Sequence, residues 1–251
     1  MIVLQPIRQV LATAMLLAFG VGCAAVAQAA GIVISPVVLE IGSPRKAIAV
    51  TINNDGDDSI TFQTDALTWQ QVNGLDQYEP TDELVVVPAI VVVPAHASQT
   101  IRVMLRSPAL SPQERTYRLL IENITEELKP ASAETSVTFK FGHNLPVMVA
   151  PAGKTVQAVQ WKPCIPESAA KSNQTCVRLL NAGNRRIKIK SLTVTGEGWK
   201  QEFVLDAPQN VLTGAEREWR IPLATGQTGA VRALQVDTAQ GEILQATDGN
   251  F

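Results

Sequence analysis

Histidine is scarce. His96 and His143 are the only two in 251 residues, and both stand far in sequence from Cys164 and Cys176. A zinc or copper site draws three or four ligands from such side chains, so no metal is expected. No G-x-S-x-G elbow and no phosphate-binding loop occurs. Those motifs place a nucleophile or cradle a phosphate, and without them no catalytic residue is assigned. The chain is not read as an enzyme, and neither a cofactor nor a small-molecule substrate is expected. Basic residues are not in excess: 21 Lys and Arg stand against 23 Asp and Glu, a net charge of -2. That balance argues against nucleic acid as a partner. The acidic group Asp76, Glu79, Asp82 and Glu83 lacks the ligand order of a calcium loop and reads as a solvated surface. Charged residues make up only 18% and hydrophobic residues 46%, so a buried core is expected rather than disorder.

The first residues form a targeting segment. Arg8 precedes an apolar run from Val10 to Val21, and Ala27-Gln28-Ala29 supplies a small-residue cleavage site. Residues 1–29 are therefore read as a signal peptide. Cys23 follows the run, but Gly20-Val21-Gly22 matches a lipoprotein box poorly, so ordinary export is favoured over lipidation. The run is short for a membrane span, and no second one is long enough. An exported chain with two cysteines as close as Cys164 and Cys176 is expected to join them in a disulfide.

Beyond residue 30 the pattern is of short strands between turn residues. Ile32 and Ile34 alternate, Pro36 interrupts, and Leu39 and Ile41 continue on the other parity. A parity change at a proline predicts a strand that passes from one sheet to another. Ala47 to Ile52, Thr61 to Trp69, Ser98 to Leu105 and Tyr117 to Ile124 alternate in the manner of half-buried strands. Phe62, Leu67 and Trp69 are core candidates. Asn53-Asn54-Asp55-Gly56 and Val72-Asn73-Gly74-Leu75 are turns, because Asn and Gly accept positive φ. No segment before residue 150 carries a 3.6-residue apolar stripe. About seven strands fit between Gly31 and Val149, which indicates a β-sandwich. After Pro151-Ala152-Gly153 the pattern restarts. Val156 to Trp161, Cys176 to Asn181, Ile187 to Leu192, Phe203 to Leu205, Trp219 to Leu223 and Val231 to Val236 make a second all-β domain. The expected division is 30–150 and 151–251.

The stretch Ser136 to Pro151 stands out. Val137, Phe139 and Phe141 alternate with polar residues, and Leu145, Val147 and Val149 keep the same parity. All six would point one way from an extended chain. Pattern alone leaves two readings open: an ordinary core strand, or a strand offered to a partner.

The segments I-S-P-V-V-L-E-I, V-T-I-N-N-D-G-D, E-P-T-D-E-L-V-V-V-P, A-H-A-S-Q-T-I-R-V and Y-R-L-L-I-E-N-I, in this order and spacing, resemble the PapD-like periplasmic pilus chaperones. The resemblance runs from Gly31 to Pro151, and Y-R-L-L-I-E looks most like the branch serving spore-coat-U-like subunits. It implies two immunoglobulin-like sandwiches around a cleft, in the periplasm. It implies a pilin-like subunit held by donor-strand complementation, with Val137, Phe139 and Phe141 donated, and delivery to an outer-membrane usher. Better-known members of the family grip the subunit's terminal carboxylate with a first-strand Arg and a last-strand Lys. Here Ile32 to Ile41 holds no basic residue, and Asn144 and Leu145 stand where the Lys is expected. Arg118 is the first choice of substitute, followed by Lys140 and Arg102; the alternative for each is a solvated charge or an internal ion pair. An empty chaperone is also expected to cap its apolar strand by self-association. The alternative function is an exported immunoglobulin-like structural or adhesive subunit. A pilin carries a free donor extension before its sandwich, whereas here Ile32 enters the first strand almost at once.

Overall fold

The computed structural model describes residues 31–42, 46–107, 111–125, 142–164, 174–227 and 230–251. They form seventeen strands, with no helix among the described residues. Ten strands precede residue 150: β1 (Ile32–Ser35), β2 (Leu39–Ile41), β3 (Ala47–Asn54), β4 (Ile60–Val72), β5 (Leu75–Pro80), β6 (Leu84–Val87), β7 (Ile90–Val93), β8 (Ala97–Leu105), β9 (Arg115–Asn123) and β10 (Gly142–Val149). Sheet one runs β1-β3-β8-β6. Sheet two runs β2-β10-β9-β4-β5, with β7 also paired to β4.

The two sheets enclose one apolar core. Alternate residues of each strand reach it: Val50 and Ile52, Phe62, Ile101 and Val103, Tyr117, Leu119 and Ile121, and Leu145, Val147 and Val149. The sheet change expected at Pro36 is present, since β1 pairs with β3 in sheet one while β2 pairs with β10 in sheet two. The number of strand segments exceeds the expected seven. The break at Pro36 divides a run that reads as a single strand, and residues 75–80 return along β4 as a separate hairpin arm. The turn of that hairpin is as expected, with Asn73 at φ 53 and Gly74 at φ 76. At the other expected turn, Asn53 and Asn54 end β3, and the buried Asn54 starts the turn by accepting from the Gly56 N–H.

The remaining strands are β11 (Val159–Pro163), β12 (Gln174–Asn181), β13 (Ile187–Thr195), β14 (Lys200–Val211), β15 (Glu216–Pro222), β16 (Ala233–Thr238) and β17 (Ile243–Asp248). They form one sheet ordered β14-β13-β16-β17-β11-β12-β15. It folds over a single core that includes Trp161, Leu179, Ile189, Leu192, Ile221 and Leu234. A register shift between Ile189 and Ser191 explains why Ile187 and Ile189 face inward on one parity and Leu192 on the other. The first strand starts at Val159 rather than Val156, and β17 lies beyond the strands read from the sequence. Cys164 and Cys176 are joined by a disulfide that closes the β11–β12 hairpin. Among the described residues no strand of the first ten pairs with one of the last seven.

The two sandwiches touch through the outer face of sheet two. On β4 the even positions Phe62 and Thr64 face inward, so Trp69 faces out. It is nevertheless only 2% exposed, because it packs with Met148 into the core cluster of the second sandwich. Trp69 is thus a core residue as expected, but of the junction and not of its own sandwich. Next to it Gln71 donates to the Asn210 carbonyl at 3.0 Å and accepts from the Leu212 N–H at 2.9 Å. An ionic hinge completes the junction. Arg186 reaches Glu114 at 2.6 Å and Glu40 at 2.7 Å, and the Glu114 N–H donates to the Asn184 carbonyl.

Candidate functional site

Strand β10 has two differently occupied edges. One edge pairs with β9 over its full length, from Gly142 opposite Glu122 to Val149 opposite Arg115. The other pairs with β2 only at Val147, Met148 and Val149, opposite Leu39, Glu40 and Ile41. From Gly142 to Pro146 that second edge carries no strand among the described residues. The reason lies in the first strand: β1 belongs to sheet one, and the chain reaches sheet two only at Leu39. Val37 and Val38, just before Leu39, are exposed at 63% and 42%. A sheet edge with no described strand paired to it, beside exposed valines, has the form that an added strand can pair with.

The donor positions Val137, Phe139 and Phe141 lie outside the described residues, as does Lys140. Their described continuation is β10, whose Leu145, Val147 and Val149 keep the same parity and face the core.

Arg118 sits on β9, in register with Pro146 of β10 and Leu67 of β4. It therefore stands level with the last residue of the open edge. Tyr117 and Leu119 on either side face the core, so Arg118 projects from the outer face, the face that meets the second sandwich. Its guanidinium lies 3.8 Å from the centroid of the Trp69 ring and 5.6 Å from that of Tyr78. Its Nη1 donates a long hydrogen bond, 3.5 Å, to the Asn144 carbonyl. The Arg118 Nε is buried without a hydrogen-bond partner, and no described carboxylate forms an ion pair with this side chain. With Nε buried, the Nη1–Nη2 edge is the part of this planar cation left to receive a carboxylate through two parallel hydrogen bonds.

Arg102 lies elsewhere. It is exposed on β8 of sheet one, between Ala49 and Val87. Arg118 and Arg102 are thus on different sheets and do not converge. The acidic loop residues are tied into local pairs. Asp82 meets Arg106 at 3.7 Å, and Glu83 meets Arg115 at 3.7 Å and accepts from the Tyr117 hydroxyl. Burial and that hydrogen bond push the Tyr117 phenol well above its ordinary value.

Sequence reasoning missed Trp69 and Tyr78 as neighbours of Arg118. The signal was parity: Leu67 and Trp69 are odd where the inward Phe62 and Thr64 are even, and this puts them on the side where Arg118 emerges.

Residues 31–155 match the family model described as "Pili and flagellar-assembly chaperone, PapD N-terminal domain". No curated protein sequence matches the chain. Among solved structures, one similar chain comes from the CsuC–CsuE chaperone–tip adhesion subunit pre-assembly complex of archaic chaperone-usher Csu pili from Acinetobacter baumannii. It is 18% identical, with a TM-score of 0.65, over 88% of this chain and 100% of that one. The class 5 fimbriae chaperone CfaA is 16% identical with a TM-score of 0.59, over 87% of this chain and 100% of its own. The Escherichia coli chaperone DraB is 17% identical with a TM-score of 0.55, over 87% and 97%. These likenesses establish the fold of two immunoglobulin-like sandwiches. Through residues 31–155 the chain belongs to the PapD family of pilus-assembly chaperones.

Proposed function

We propose that the chain works in the periplasm, after loss of residues 1–29, where it holds a pilin-like subunit by donor-strand complementation and passes it to an outer-membrane usher. The open edge of β10 carries this reading, because no described strand pairs with Gly142 to Pro146 and the alternating stretch comes directly before them in sequence. Val137, Phe139 and Phe141 are the donated side chains. Each phenylalanine contributes roughly 1.5–3 kcal/mol when fully buried in a subunit groove. Arg118 receives the subunit's terminal carboxylate, and its position level with the end of the open edge supports that role. The division at residues 150 and 151 is supported by strand pairing, which stays within each part. The empty protein covers its free edge by self-association.

Native mass spectrometry of the protein purified from the periplasm, with the neighbouring genes expressed, tests this function. The expected result is a one-to-one adduct with a smaller exported protein that is lost in Phe139→Asp. A monomer or homopolymer from cells shown to contain the smaller protein would favour a structural subunit instead.

A further inference from the structure

The guanidinium of Arg118 is held in a way that its own strand does not require. Leu67 of β4 is in register with Arg118, Trp69 lies two residues further along β4 on the same face, and Tyr78 is paired with Trp69 across the β4–β5 hairpin. Both rings lie near the cation, at 3.8 Å and 5.6 Å to their centroids. Arginine stacks flat on aromatic faces, which leaves its rim of N–H donors for ligands.

Each ring is in turn fixed by something else. Trp69 is packed in the core cluster of the second sandwich. The Tyr78 hydroxyl donates to Asp76 at 3.3 Å, and Asp76 accepts from the Gln71 side-chain amide at 2.8 Å. The same amide donates to the Asn210 carbonyl, and the Gln71 carbonyl oxygen accepts from the Leu212 N–H. A continuous run of contacts thus leads from Arg118 through Tyr78, Asp76 and Gln71 to β14 and the residue after it.

We propose that Trp69 and Tyr78 are positioning residues that hold Arg118 flat as a carboxylate receptor, and that the second sandwich holds them in place through Gln71. This rests on Arg118 being the carboxylate anchor. The receptor is then complete only when the two sandwiches are docked. The second sandwich contributes to capture without touching the carboxylate itself. A guanidinium free to rotate would offer the same charge but would lose the two-bond geometry that separates a carboxylate from any other acceptor.

Two readouts on the full mature chain separate this inference from the reading beneath it. The first needs no ligand. The Arg118 Nε–H resonance, assigned by its loss in Arg118→Lys, is expected to be slow to exchange with water, since Nε is buried. It should stay slow in Tyr78→Phe, which keeps the ring, and become fast in Tyr78→Leu and Gln71→Ala. Slow exchange in both of the latter overturns the positioning role. The second readout is titration with N-acetyl-Val-Thr-Val-Tyr as free acid and as amide. The wild type is expected to prefer the acid about tenfold, and Arg118→Ala should abolish that preference. Tyr78→Leu and Gln71→Ala should shrink it severalfold with the amide's affinity unchanged. A wild type without preference, or a preference that survives Arg118→Ala, overturns the anchor and with it the inference. A preference lost in Arg118→Ala but intact in Tyr78→Leu and Gln71→Ala overturns the inference alone and leaves the anchor standing.

Discussion

Arg186 of the second sandwich places Nη1 2.6 Å from Oε1 of Glu114 in the first, and the two side chains are only 11% and 1% exposed. The Arg186 backbone N–H donates to the other oxygen of the same carboxylate at 2.8 Å. Removing one partner leaves the other in a poorly solvated site with a weaker set of contacts, Arg185 at 3.5 Å for Glu114 or the half-exposed Glu40 at 2.7 Å for Arg186. Arg186→Met and Glu114→Ala should therefore each cost about 3–5 kcal/mol. The double variant should cost clearly less than the sum. A double-mutant cycle by urea unfolding measures the coupling, and strict additivity would show that the pair does not hold the junction.

The two carboxylates on Arg186 respond oppositely to pH. The Arg186 hydrogen bond holds Glu40 below its ordinary value of 4.5, against partial burial. Burial pushes Glu114 above the same value, against the pull of Arg186. The contribution of Glu40 is full above 4.5 and is lost as pH falls through its lowered folded value. The contribution of Glu114 is greatest below 4.5 and declines as pH rises through its raised folded value. Unfolding midpoints across this range should show that Glu40→Gln removes the acid-side loss. Glu114→Gln should remove the decline on the other side.

Asn54 and Asn181 perform the same task in the two sandwiches. The Asn54 amide donates to the carbonyls of Asp58, Val93 and Pro94, and its oxygen accepts from the Gly56 N–H. The Asn181 amide donates to Arg185 and Val211, and its oxygen accepts from the Gly183 N–H. Both asparagines are buried. Each alanine variant orphans several backbone groups at about 1–3 kcal/mol apiece, so a loss of about 2–4 kcal/mol is expected for either. Thermal unfolding of the two single variants checks this. Loss below about 1 kcal/mol would mean that water replaces the side chain.

The disulfide between Cys164 and Cys176 spans a sequence separation of 12. Closing so short a loop stabilises by about 2–3 kcal/mol in the chain-entropy model. The double Cys→Ala variant should lower the stability of the second sandwich by that amount and leave the first unchanged. Tryptophan emission follows it, since Trp161, Trp199 and Trp219 all lie in or against the second core.

Much of the fold was legible in the sequence because strand periodicity reports which face is buried. Val50 and Ile52, Ile101 and Val103, and Tyr117, Leu119 and Ile121 all face inward as their alternation requires. The sheet change at Pro36 was legible as a parity slip. Trp69 was harder, since burial from sequence does not say which core a residue enters. The clamp around Arg118 draws residues from β4, β5 and β9, and no local pattern records that meeting. Asn54 and Asn181 look like turn formers in sequence. Their long-range hydrogen bonds depend on loops that come close only after folding. Strand β17 escaped notice because I-L-Q-A-T-D has a weak apolar face, and in the structure it is mostly exposed.

The three-residue pairing of β2 with β10 gives the open edge a direction. In the terms of strand displacement, Gly142 to Pro146 form a toehold and Leu39 a fixed stop. A strand that zips along β10 towards Val147 must halt there, because β2 already occupies the edge. The length of extended chain that can be held is therefore counted from this stop. A strand too long by one pair of residues would overrun it.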